Sequence, residues 1–199
     1  METLGMSFRS IGYKRIEDAS HVWHCNNNPG LSGKGLTNTW KDPARATRTG
    51  MFGEVAVCSA TDEKPQLQHI KGGDKGDLFP LGAHWSVKCM IPPWEGDRYD
   101  FVRIGYKNLE HGFYYPMKAE YQVFCQMEFD DRSKQEAHVK IVGWLPTSMI
   151  EHIGWKGPSK DGVIMNYFIK VKDLYPIHDL VNDIRGCKGL PYINTNYLN

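Results

Sequence analysis

The chain has 199 residues with 24 Lys+Arg against 23 Asp+Glu, a formal net charge of +1, and 41% hydrophobic and 12% aromatic residues. Such a length builds one substantial core, and 6 Trp, 10 Tyr and 8 Phe argue against disorder. Near-neutrality excludes a histone-like polycation, so a nucleic-acid partner must meet a local basic patch.

No run approaches the roughly 18 apolar residues of a membrane span, and METLGMSFRSIGYKR lacks the pattern of a secretory signal. The expectation is a single domain over residues 1–199, away from membranes, in the cytosol (that of a host, if the chain is phage-encoded). The five cysteines, Cys25, Cys58, Cys89, Cys125 and Cys187, are odd in number and form no C-x-x-C pair, which reads as reduced, intracellular usage. Cys58, Cys89 and Cys125 sit in apolar runs and read as small hydrophobes.

Residues 1–41 read as an N-terminal extension, with a short strand or helix around Ile11 to Ile16 and then a polar, Gly-rich loop from Asn26 to Gly35. His21, His24 and Cys25 lack a second ligand pair for zinc, and Gly30 to Gly35 lacks the spacing of a phosphate-binding loop. Lys34, Lys41, Arg45 and Arg48 stand with one acid, Asp42, between residues 30 and 50. This local excess of positive charge is the candidate DNA-facing patch, beside the alternative of a solvated loop. Asp42-Pro43 starts a helix that runs to about Ser59, with Asp as N-cap and Pro at the first helical position. At ~100° per residue Met51, Val55 and Cys58 form its buried stripe and Glu54 borders that stripe.

Turn residues from Pro80 to Gly82 predict a hairpin whose second arm alternates Trp85, Val87, Cys89 and Ile91 with His84, Ser86, Lys88 and Met90. Further strands are expected at 99–107, 119–128, 138–145 and 163–172, with a turn at 130–134. Leu174, Ile177, Leu180, Val181 and Ile184 then mark a last helix, followed by a loosely held tail over 186–199. Helices before and after a run of strands give an α/β (α+β-like) fold, a central mixed β-sheet flanked by helices.

Glu54, Asp77 and Lys88 are a helix acid, an acid ahead of a strand, and a lysine on the next strand. Carboxylate oxygens can hold Mg²⁺, which polarises a phosphate and activates water, and a lysine offsets the charge that develops. The Val87 carbonyl could complete the metal shell.

At these positions the chain resembles the PD-(D/E)XK, or restriction-endonuclease-like, nuclease superfamily, in particular its small phage-type members. The motifs are G-E on a helix (Gly53-Glu54), G-D before a strand (Gly76-Asp77), and x-V-K on the next strand (Ser86-Val87-Lys88). Downstream, Lys118-Ala119-Glu120-Tyr121-Gln122-Val123-Phe124, Val139 to Leu145 through Val142-Gly143-Trp144, and Tyr167 to Leu174 are similar to later strands of such enzymes. The similarity runs in order over about 44–182.

The resemblance implies a restriction-endonuclease-like core and a Mg²⁺- or Mn²⁺-dependent deoxyribonuclease. Its catalytic residues would be Glu54, Asp77 and Lys88, and its metal would sit on Asp77, Glu54 and Val87. It implies DNA as partner and, since many such nucleases act in pairs, a second copy of the chain, although the sequence marks no dimer seam. The pattern departs at Ser86, where the superfamily has Asp or Glu. Glu54 or Asp74 could swing in as the missing ligand, with Glu120 a further acid to weigh, or the metal could be bound more weakly by Asp77, the Val87 carbonyl and water. Alternatively the chain is a catalytically inactive relative that binds DNA or a protein, or an interaction protein with no nucleic-acid role.

Overall fold

The segment 119–128, predicted as a strand by alternation, forms an interior strand of its sheet, and from Gln122 to Met127 it is buried on both faces. In the computed structural model, which describes residues 3–27, 45–65, 82–91, 100–115, 117–159 and 162–191, it belongs to strand Tyr121–Asp131. Val123, Cys125 and Met127 enter one apolar core and Phe124 another.

The described elements run β1 (Leu4–Arg9), α1 (Ser10–Asn27), α2 (Arg45–Thr61), β2 (Trp85–Met90), β3 (Phe101–Asn108), β4 (Tyr121–Asp131), β5 (Glu136–Pro146), α3 (Thr147–Ile153), β6 (Trp155–Pro158), β7 (Ile164–Lys170) and α4 (Ile177–Cys187). This is a mixed α/β fold of the α+β kind. The strands divide between two sheets, a four-stranded one in the order β1-β5-β4-β2 and a three-stranded one in the order β3-β7-β6. The first is mixed, since β2 runs parallel to β4 while β4–β5 and β5–β1 are antiparallel. The second is antiparallel throughout.

One face of the mixed sheet carries α1, α2 and α4. Tyr13 and Ile16, Met51, Phe52, Ala56 and Val57, and Ile177 and Val181 pack there on Val87, Val123, Val139 and Ile141. Phe52 is fully buried and its ring lies 5.0 Å from Phe8 and 5.3 Å from Tyr13; burying such a side chain contributes roughly 2 kcal/mol. The opposite face is covered by the second sheet with α3. Val102, Ile104, Tyr167 and Ile169 meet Phe124, Val142, Leu145 and Ile150 there. A layer of strands thus stands where a helix layer would flank the sheet on its second side.

The β4–β5 turn forms where the sequence places it. The Asp131 carboxylate accepts from the Ser133 and Lys134 backbone N–H groups at 3.0 and 3.2 Å and from the Ser133 hydroxyl at 2.6 Å. These donors hold its carboxyl below the usual range. At Gly143, φ is 157° and a Cβ would come 2.8 Å from the Tyr175 carbonyl oxygen. A side chain there would push away the segment that exchanges backbone hydrogen bonds between Trp144 and Tyr175.

Two expectations at the termini change. Residues read as an extension belong to the core: Leu4, Phe8, Tyr13 and Ile16 are all buried, and β1 pairs with β5 from Leu4↔Ile141 to Arg9↔Glu136. The helix α1 also continues to Asn27, past the residue where a loop was expected to begin. After α4 the chain through Pro191 is tied down, with the Lys188 ammonium donating to the Thr61 carbonyl at 2.9 Å and to Glu63 at 2.6 Å. No described helix is long and apolar enough to cross a membrane.

Candidate functional site

The helix predicted to carry Glu54 packs on the strand predicted to carry Lys88. The closest point is Gly53, where a Cβ would lie 2.5 Å from Cys89 Cβ and 3.5 Å from Val87 Cγ1. Only a glycine lets a helix come this near a strand, and Glu54 is the next residue along, half-buried at the border of the packed face. The contact also encloses two thiols. Cys125 Sγ lies 4.0 Å from the Gly53 carbonyl, and burial pushes the Cys89 thiol up to about 12 and the Cys125 thiol well above its usual value. Buried Cys58 completes the three cysteines read as hydrophobes.

Val87 and Cys89 face α2, so Ser86, Lys88 and Met90 face the other way. Met90 accordingly packs on the second core, while Lys88 is half-exposed. Ser86 and Lys88 do share a side, as the alternation requires, but Glu54 approaches β2 from the opposite face. Among the described residues β2 is the edge strand of its sheet. The two groups can therefore act on one phosphate only around that edge.

Asp77 and Asp74, with the first arm of the predicted hairpin, lie outside the described residues, as do Lys34, Lys41 and the Asp42-Pro43 helix start. Among the described residues no three His, Cys, Asp or Glu side chains gather at a metal position. Of the metal ligands proposed from the sequence, the described elements α2 and β2 carry the Glu54 carboxylate, one residue beyond Gly53, and the backbone of Val87. This oxygen chemistry suits Mg²⁺, which takes about one or two carboxylates and completes its shell with water and substrate. Glu120 is not brought to Lys88. It is exposed at the start of β4, where its carboxylate accepts from the His84 backbone N–H at 3.3 Å. Four residues of extended strand, ~13 Å, separate His84 from Lys88.

Arg48 is corrected. Placed by the sequence on a DNA-facing rim, it is 1% exposed, and its Nε and Nη2 donate to Asp130 Oδ2 at 3.0 and 2.7 Å. The Tyr13 hydroxyl donates to the other oxygen of Asp130 at 2.5 Å. Burial, reinforced by the Asp130 carboxylate, pushes the Tyr13 phenol far up. This Tyr13–Asp130–Arg48 group bolts α1 and α2 to the end of β4. Sequence reading counted Arg48 by its charge. Its position three residues before Met51, on the buried stripe, was the signal that it points inward. Arg45, the first residue of α2, is half-exposed and is what the described residues retain of the patch.

No family model matches the chain, and neither a curated protein nor a solved structure matches it.

Proposed function

We propose that the chain is a divalent-metal-dependent nuclease of the restriction-endonuclease-like type that hydrolyses phosphodiester bonds in DNA. The observation that carries the reading is the Gly53–Cys89 contact, because it seats the helix turn bearing Glu54 directly on the Ser86-Val87-Lys88 strand. Glu54 and Asp77, with the Val87 carbonyl, would hold Mg²⁺ or Mn²⁺, which when bound would supply charge to polarise the phosphate and to lower the pKa of water. Lys88 orients the attacking water and offsets the negative charge that grows on the phosphate, which leaves a 5′-phosphate and a 3′-hydroxyl. The enzyme works in the cytosol, and a second copy of the chain is its natural partner on duplex DNA.

The test is incubation of plasmid and single-stranded DNA with Mg²⁺ or Mn²⁺. Cutting that EDTA stops, that Asp77→Asn abolishes and that Lys88→Ala sharply slows supports the assignment; cutting undiminished by both substitutions removes it.

A second reading, a non-cleaving relative that binds DNA or a protein, is favoured by Ser86. This residue is buried, and its neighbour in register on β4 is Gln122, also buried and neutral, whose amide donates to the Thr147 hydroxyl at 3.2 Å. A hydroxyl brings no full negative charge to a metal. DNA or partner binding without turnover, at any concentration of either metal, would select this reading.

A further inference from the structure

We infer that the outward face of the β3-β7-β6 sheet binds single-stranded nucleic acid, with bases stacked on Trp155 and phosphates held by Arg103 and Lys170. The inference concerns a surface on the far side of the second sheet from β2 and stands whether or not the chain cuts DNA.

Registers fix which side chains share the face. Arg103 and Trp155 both pair with Phe168, and Phe101 pairs with Lys170; directly opposed residues lie on one side of a sheet. The alternate positions Val102, Ile104, Tyr167 and Ile169 fill the inner core, so the first set points away from the molecule. Three rings gather there. Phe168 stacks on Trp155 with centroids 5.5 Å apart at 21°, and Phe101 meets each of them edge-on at 5.6 and 6.2 Å. Trp155 is nevertheless 46% exposed, which is unusual for the largest apolar side chain.

At the other end of the sheet Tyr115 lies over Gly105, 3.9 Å from where its Cβ would be. Tyr115 holds Phe113 edge-on at 5.1 Å, and Phe113 is itself 48% exposed. Between the two aromatic groups stands Arg103. Arg103 and Lys170 are exposed, and among the described residues neither side chain has a hydrogen-bond or ion-pair partner.

Charge decides the occupant. The outward positions of β3, β7 and β6 carry these two cations and no Asp or Glu. Rings alone would suit a protein partner, but rings flanked by unpaired cations, on a chain whose total charge is near zero, match a ligand that is a polyanion with a π-face at every unit. A duplex hides its base faces and could use only the cations, whereas a single strand uses both.

The experiment is fluorescence anisotropy of labelled dT12, U12 and a 12-base-pair duplex with the full chain in EDTA, where nothing is cut, over a series of salt concentrations. The expected result is micromolar or tighter binding of dT12 or U12 and weaker binding of duplex, the first two arms separating DNA from RNA. Trp155→Ala should weaken single-strand binding roughly 5- to 160-fold, the range for one stacked base, while Trp155→Phe keeps most of it. Arg103→Ala and Lys170→Ala should each flatten the slope of log K against log salt by about 0.7. Thermal melts show that each variant is folded, and both cations are exposed, so their removal leaves the core intact. Failure of dT12 and U12 to bind overturns the proposal, as does binding that Trp155→Ala and the two cation variants leave unchanged. Sedimentation showing a dimer that Trp155→Ala dissociates, without oligonucleotide binding, would assign the face to a second copy and overturn it equally. Loss of cutting in Asp77→Asn with binding intact leaves the proposal standing and bears only on the catalytic reading.

Discussion

Replacing Gly53 by alanine sets two effects of opposite sign against each other. In a helix interior alanine is better than glycine by about 1 kcal/mol. The added Cβ, however, would stand 2.5 Å from Cys89 Cβ. Both are atoms whose position the backbone fixes, so no rotamer change relieves the collision and α2 must move off β2. Overpacking of this kind costs about 3 kcal/mol at the upper end of its usual range, so Gly53→Ala should destabilise by about 2 kcal/mol. For a chain of this size that lowers Tm by roughly 4–8 °C.

A second substitution isolates the cause. Cys89→Gly removes the atom that is struck and should recover much of the loss in the Gly53→Ala background, although glycine in a strand itself costs about 0.5–1 kcal/mol. Cys89→Ala keeps that atom and should recover none. Thermal and urea unfolding followed by circular dichroism measure all four chains. A Gly53→Ala chain as stable as the parent, or equal rescue by Cys89→Ala and Cys89→Gly, would refute the close contact on which the placement of Glu54 depends.

The buried ion pair and its phenol give two further predictions. Arg48→Met strands the Asp130 charge in the core and should cost about 3–5 kcal/mol, while the double change Arg48→Met with Asp130→Leu should recover most of it, both read as urea midpoints. Tyr13→Phe removes a donor to a carboxylate and should cost about 1.5–3 kcal/mol near neutral pH. The phenol is pushed up in the folded chain, so its share of the stability is complete below the unfolded pKa of about 10 and is lost as pH rises through the folded value. The gap between parent and Tyr13→Phe should therefore narrow above pH 10; a gap independent of pH would mean that folding does not perturb Tyr13.

What could be read from the chain, and what could not, follows from the range of the forces involved. α2 and α4 declare themselves because their apolar positions recur at helical spacing, and β4 and β5 because theirs alternate. The helix α1 hides because its described buried positions are Tyr13, Ile16 and Ser20, a narrow stripe with a hydroxyl in it that donates to its own backbone at Glu17. The short elements α3 and β6 offer one buried residue and a Lys-Gly-Pro run respectively, too little for any period to emerge. Alternation also cannot say which strand pairs with which. The separation into two sheets depends on registers such as Phe101↔Lys170 that join distant parts of the chain. In the candidate site, alternation correctly put Ser86 and Lys88 on one side of β2. It could not reveal that α2 lies on the other side, because that is a packing relation between elements.

The same distinction applies to charge. Four cations between residues 30 and 50 suggested a DNA-facing rim, but Arg48 spends its charge on Asp130 inside the protein, while Arg103 and Lys170, unremarked in a linear count, face outward beside three rings. If the α2–β2 site cuts single strands and the outer sheet face holds them, the two surfaces should separate kinetically. Binding on the outer face is the same in the ground state and the transition state, so its loss in Trp155→Ala should raise KM on single-stranded DNA with kcat unchanged. Lys88→Ala should do the reverse, since its charge is used only as the phosphate gains its own. Steady-state cleavage of a labelled oligonucleotide measures both constants. A fall in kcat at constant KM in Trp155→Ala would refute the division, because the outer face would then be acting on the chemical step.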